Sequence, residues 1–218
     1  MLRFGAPLQK TDYDMTPNAL KDDLQHYLRN AREAVVWKLE SLDEYNGRRP
    51  LTPTGTNLLG LVKHLSGVEM LYFGFVFDRP IVDPPQWFGP QMEPNADMWT
   101  TTDEARIAVL ETYRRATAHA DQTIAELDLD TVGFVPWLPA GHMTLHRVLV
   151  HVLAETERHA GHADVVRELI DGSVGRMPGA EQMNPGNAEE PPRDAHWWAD
   201  YSATIERNAL AARDRIHP

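Results

Sequence analysis

The chain has 218 residues, 42% of them hydrophobic and 24% charged, a balance that suits one globular domain with a sizeable core and excludes a chain disordered overall. Its 21 basic residues against 32 acidic ones give a net charge of −11, and no Lys/Arg cluster interleaved with aromatics is available to neutralise a phosphate backbone, so nucleic acid is not expected as a partner. With no cysteine there can be no disulfide, no cysteine-ligated zinc and no cysteine nucleophile, which leaves histidine and carboxylates to hold any metal.

The opening stretch, "MLRFGAPLQKTDYDMTPNALKDD", lacks the basic region and long apolar run of a secretory signal. A first helix is expected from about Pro17 to Leu42, where Leu20, Leu24, Leu28, Ala31, Val35, Val36 and Leu39 recur at helical spacing. "GRRPLTPTGT" breaks it, and Thr56 can cap a second helix over residues 56–78. That second segment is the most apolar in the chain, yet Lys63, His64 and Glu69 interrupt it and make it a poor membrane span. A soluble, cytoplasmic protein is therefore expected. A third helix begins at "TTDEA", where Thr101 and Glu104 have capping-box spacing, and runs to about Leu127. A fourth follows "VPWLPAGHM", with Thr144 as its N-cap, and ends near Asp171 and Gly172. Beyond a Gly- and Pro-rich stretch, "DAHWWADYSATIERNALAARDRI" reads as a fifth helix.

No segment alternates apolar and polar residues in the manner of a strand, so the expected fold is all-α: a four-helix bundle over about residues 17–171, with a loop and an additional C-terminal helix over 172–218, forming one domain of 1–218. The connections from Arg79 to Thr100 and from Asp128 to Met143 are long for such a bundle, and loops of that length usually line a site. Tyr72, Trp87, Trp99 and Trp137 are candidate walls of it. Trp197 and Trp198 cannot both face one way on a helix, so one of them is available for a second surface; a monomer and a homodimer both fit.

The chemistry gathers in "VLVHVLAETERHAGHAD", residues 148–164. At about 100° per residue, with His151 at 0°, Glu155 falls near 40°, His159 near 80° and His162 near 20°, all on one face. Side chains four residues apart can close on a single ion, although an imidazole and a carboxylate buried together can also satisfy each other without one. In the second helix, "TGTNLLGLVKHLSGVEMLYFG", His64 lies on an otherwise apolar stripe with Gly60 and Gly67 a turn to either side. These small residues would leave space for an ion and a ligand beside the ring, and three ligands from two helices with coordination positions left open is a catalytic arrangement.

"LTPTGTNLLGLVKHLSGVE" together with "MTLHRVLVHVLAETERHAGHAD" resembles the DinB-like superfamily of metal-binding four-helix bundles, in particular its actinobacterial branch. In most of its members one His of helix 2 and two His at i and i+4 of helix 4 hold the metal. By that resemblance His64, Glu155 and His159 are the metal ligands. Glu155 departs from the three-His pattern but is similar to the mycothiol-dependent maleylpyruvate isomerases of the superfamily, whose zinc sits on two His and one Glu. His151 is the rival ligand, and His162 is a candidate to bond a ligand or to touch substrate.

The resemblance implies zinc, while the ligand types alone also admit Ni2+, Fe2+ and Mn2+. It further implies a small-molecule thiol, mycothiol, used in S-transfer or thiol-assisted isomerisation. Lys63, Arg147 and Arg158 lie near the ligands in sequence and can reach for a substrate, although immediate neighbours on a helix diverge by about 100°. Two alternatives stand beside this reading: a metal-dependent hydrolase with Glu157 or Glu69 as base, and a non-catalytic metal-binding bundle of a stress response, whose site would be sealed.

Overall fold

In the computed structural model, residues 16–90, 92–177 and 194–216 are described. The opening residues 1–15 and residues 178–193 of the Gly- and Pro-rich stretch lie outside them. The chain divides into two units, Met1–Glu181 and Gln182–Pro218. The first contains α1 (Pro17–Trp37), a short α2 (Glu44–Arg48), α3 (Leu58–Glu69), α4 (Arg106–Glu126) and α5 (Leu145–Asp171). The second contains α6 (Ala195–Ile216). The fold is all-α as expected, with one addition: a hairpin of β1 (Val132–Phe134) and β2 (His142–Thr144), antiparallel with Gly133 opposite Met143. Three-residue strands are too short for an alternating pattern to register in a sequence. Among the described residues no helix is long and apolar enough to cross a membrane.

Each long helix starts on a side-chain cap that satisfies an orphan N–H, except α4, which has none at Ala105. Thr16 accepts from Ala19 N, Asn57 from Gly60 N and Thr144 from Arg147 N. Asn57, one residue after the expected Thr56, is thus the cap of α3. Glu104 Oε2 does accept from Thr101 N at 2.8 Å, half of the predicted capping box, but the helix itself begins later, at Arg106. α5 ends as predicted on Gly172, whose φ of +77° suits a residue without Cβ. α1 ends at Trp37, five residues short of the predicted Leu42. The turn beyond it is held by cations on its carbonyls: Arg106 donates to Leu39 O and Leu42 O, and Arg167 to Lys38 O and Glu40 O. α3 does not continue to residue 78 as a regular helix. It loosens into a π-turn over Met70–Gly74 and a 3-10 turn over Phe75–Phe77.

The core forms two apolar clusters. One holds Leu28, Phe73, Ile124, Val148, Leu149 and Val152, the other Val35, Leu39, Leu58, Leu61, Leu65, Ala160 and Val166. Polar residues lie between them along the helices: Arg32 on α1, and Glu155, Thr156 and His159 on α5. Arg32 and Glu69, both buried, form a bidentate pair with two bonds of 2.7 Å, and the third guanidinium nitrogen reaches Asp121 on α4, also at 2.7 Å. Burial pushes the Glu69 carboxyl up against the pull of Arg32. Burial also raises the nearby Tyr113 phenol, with the charge of Glu69 adding to it. α6, described by itself, starts with Asp194 Oδ1 accepting from Trp197 N at 2.9 Å, and stacks Trp197 on Tyr201 at 5.1 Å between ring centroids.

The long connection between the π-turn and α4 is fastened to α3 at two successive backbone positions and one side chain. Asn57 Nδ2 donates to Met98 O at 3.0 Å, Lys63 Nζ donates to Trp99 O at 3.0 Å, and Lys63 also pairs with Glu104 at 2.7 Å. Gly60 permits the approach, because a Cβ there would stand 1.9 Å from Met98 O. The space that glycine leaves is therefore filled by loop backbone instead of being open to a ligand.

Arg32→Leu leaves Glu69 buried without its partner and should cost about 3–5 kcal/mol, read from the urea unfolding midpoint, whereas Arg32→Leu combined with Glu69→Leu should recover much of the loss. Hydrogen bonds from Lys63 and Thr101 hold the Glu104 carboxyl below the ordinary range despite the opposing effect of burial. A depressed folded value means that this stabilisation is full above pH 4.5, the ordinary value, and fades as pH falls through the folded one. The stability gap between the wild type and Glu104→Gln should accordingly be present at pH 7 and shrink in acid below pH 4.5, measured by urea titration at several pH values.

Candidate metal centre

His64 projects from the middle of α3, and Glu155 and His159 from consecutive turns of α5. One ligand atom from each of the three lies within 4.8 Å of the other two. Glu155 Oε1 is 3.0 Å from His159 Nε2 and 3.6 Å from His64 Nε2. For an ion about 2.1 Å from each nitrogen and oxygen, tetrahedral ligands stand about 3.4 Å apart, so the donor spacing and the donor types suit a divalent cation.

The electrostatics agree with that use. Burial pushes the Glu155 carboxyl up, but the charge and hydrogen bond of His159 and the contact with His64 outweigh it and hold the group below the ordinary carboxylate range. Burial lowers the His159 imidazole, and the proximity of His64 lowers it further. The site therefore offers an ionised oxygen and a ring biased toward its neutral form, the form with a lone pair to give.

Each histidine has a second partner, of which the sequence offered His162 as a candidate to bond a ligand but gave no sign of Asp97. Asp97 Oδ2 lies 2.6 Å from His64 Nδ1. A carboxylate only accepts, so in the neutral ring the hydrogen is on Nδ1 and the Nε2 lone pair faces Glu155. His162 Nδ1 lies 3.3 Å from His159 Nδ1, a contact that one hydrogen between two nitrogens can satisfy. Asp97 is reached across 33 residues through irregular backbone, and no periodicity could have found it.

His151 is exposed and does not join the group; its ring packs on Tyr72 at 4.6 Å, and Tyr72 on Trp137 at 5.9 Å. His162 meets His159 and lies outside the group of three as well. Trp87 stands over Lys63 Nζ at 5.1 Å and beside Gly67, at 3.5 Å from where a Cβ would be. The indole of Trp99 is exposed, and its carbonyl is bound by Lys63. Lys63, 2% exposed, is thus committed to the loop and is not free to reach a substrate, while Arg147 and Arg158 are exposed. Neither glutamate considered as a base is at the site: Glu69 is buried against Arg32, and Glu157 bonds Arg176 at 3.1 Å.

No curated protein matches the chain. A family model described as mycothiol-S-transferase matches residues 23–172, from the second turn of α1 to the residue that caps α5, and so takes in all three candidate ligands and Asp97. The match covers more than half of the chain, which belongs to the mycothiol-S-transferase family within the DinB-like superfamily.

Proposed function

We propose that the protein is a metal-dependent thiol transferase whose thiol substrate is mycothiol, and that its ligands are His64, Glu155 and His159, carried by the bundle over residues 17–171. The observation that carries the reading is the convergence of two imidazole nitrogens and a carboxylate oxygen from α3 and α5 within 4.8 Å, in a chain that matches the family model described as mycothiol-S-transferase. A divalent cation, zinc by family resemblance, keeps one net positive charge beside two neutral imidazoles and one carboxylate, and supplies thiol acidification and a fixed position for the thiolate.

The residues have separate tasks. His64 Nε2 and His159 Nε2 offer lone pairs from helices on opposite walls of the site, and Glu155, between them, brings the negative charge. Asp97 holds the hydrogen of His64 on the far nitrogen. His159 can place its own Nδ1 hydrogen on His162 once Nε2 is engaged. Since the chain has no cysteine, the sulfur of an S-transfer must arrive with a substrate. The hydrolytic alternative loses both carboxylates suggested for it, because Glu69 and Glu157 have other partners.

Untagged wild-type protein should carry a divalent metal by elemental analysis, and His64→Ala and Glu155→Ala should each lose it, while His151→Ala retains it. Retention of metal in both ligand variants would remove the site from consideration. In calorimetric titrations of the metal-loaded protein, mycothiol should bind at least tenfold more tightly than bacillithiol or glutathione, and the His64→Ala protein should bind none of them. A wild type that takes up metal but ignores every thiol rules out S-transfer and leaves the metal site standing.

A further inference from the structure

We propose that the segment Asn95–Thr101 is part of the metal site: Asp97 is a positioning residue that sets which nitrogen of His64 is free, and Lys63 positions it in turn by clamping the loop. This rests on the metal reading above. The segment packs against α3, and the backbone that follows Asp97 is tied down at several points. Met98 O is bound by Asn57 Nδ2, Trp99 O by Lys63 Nζ, and Thr101 N donates to the same Glu104 that pairs with Lys63. These bonds fix the backbone immediately after Asp97, whose side chain is 18% exposed and has Oδ2 at 2.6 Å from His64 Nδ1.

The consequence lies in the tautomer. Unrestrained, a neutral imidazole exchanges its hydrogen between the two nitrogens, and only the form with a bare Nε2 can give a lone pair toward Glu155 and His159. A carboxylate against Nδ1 selects that form and stops the ring from turning. Lys63 makes the arrangement dependable, because its ammonium is buried and has both of its observed acceptors on the 99–104 stretch. Trp87, 5.1 Å above the ammonium, covers the clamp and adds a cation–π contact. Asn57 caps α3 through Oδ1 and binds Met98 O through Nδ2, so the start of the helix and the placement of the loop depend on one side chain.

Two readouts test this on the full chain. Zinc affinity is measured by competition with a chromophoric chelator, and the His64 tautomer by nitrogen NMR of the metal-free protein at a pH where the ring is neutral. Asp97→Ala should weaken zinc binding about 10–100-fold and move the His64 hydrogen from Nδ1 toward Nε2, with the urea midpoint of the metal-free protein unchanged. Asp97→Asn keeps an acceptor oxygen and should restore the tautomer and most of the affinity. Lys63→Met should move both readouts in the direction of Asp97→Ala. If Asp97→Ala binds zinc as the wild type does, or loses zinc while the His64 hydrogen stays on Nδ1, the proposal is wrong even though the ligand set stands. If the wild type binds no zinc and His64→Ala changes nothing, the metal reading fails; the NMR readout still decides whether Asp97 orients the ring.

Discussion

A buried guanidinium held by two carboxylates sets the geometry on which the remainder of this bundle depends. Arg32 enters from α1, takes Glu69 of α3 in a two-point grip and reaches Asp121 of α4 with its remaining nitrogen. Such a group is no efficient source of stability, because the desolvation of three charges offsets much of their attraction. Its effect is on specificity of packing: apolar side chains tolerate sliding and rotation, whereas a planar fork between carboxylates permits one register. Glu69 is five residues beyond His64, about 140° around α3. Pinning the Glu69 face toward α1 and α4 turns the His64 face toward α5, where Glu155 and His159 are found.

The same layer explains how a site of ionisable groups is compatible with a well-packed core. The two apolar clusters take the ends of α5, Leu145 to Val152 on one side and Ala160 to Val166 on the other, and the polar residues Glu155, Thr156 and His159 occupy the turns between them. Inside that layer the two histidines are prepared differently. His64 has its donor nitrogen chosen in advance by Asp97. His159 has the acceptor-only Glu155 carboxylate against Nε2 and His162 against Nδ1, so its hydrogen sits on Nε2 but has a place to go, on Nδ1 toward His162, once Nε2 is engaged. One ring is a fixed post, the other an adjustable one, and an entering cation has to shift only the second.

What the sequence disclosed and what it hid follow from the range of the interactions. The bundle and the shared face of Glu155, His159 and His162 were legible because a helix repeats every few residues, and Thr144 and Gly172 marked the ends of α5 with chemistry confined to one turn. The end of α1 was placed too late because Val36 and Leu39 continue its apolar stripe, while the turn is imposed by Arg106 and Arg167, residues far along the chain. The π-turn at Met70–Gly74 left no mark, since its residues are as apolar as a regular helix would need. Gly60 suggests open space in the sequence and in the structure makes room for Met98 backbone, and Lys63, one of three cations near the ligands in sequence, is a bolt on the loop. For Gly60 and Lys63 the deciding partner belongs to a segment without periodicity, and pattern in one element cannot report it.

Charge connects these features to the chemistry proposed for the family fold. Exchanging one imidazole of a three-histidine set for Glu155 lowers the charge of a bound dication from two to one, and Asp97, one imidazole further out, supplies a second compensating negative charge. A cation bound there would be cheaper to hold beside an apolar core than one facing neutral ligands alone, and the proposed function requires that it still take an anionic ligand. Thiolate is the softest anion commonly at hand for such an ion, and a chain devoid of cysteine has none of its own to supply. A composition without a thiol and a geometry that gathers nitrogen and oxygen at one point are thus both consistent with the proposed ligand: a thiol brought in from outside.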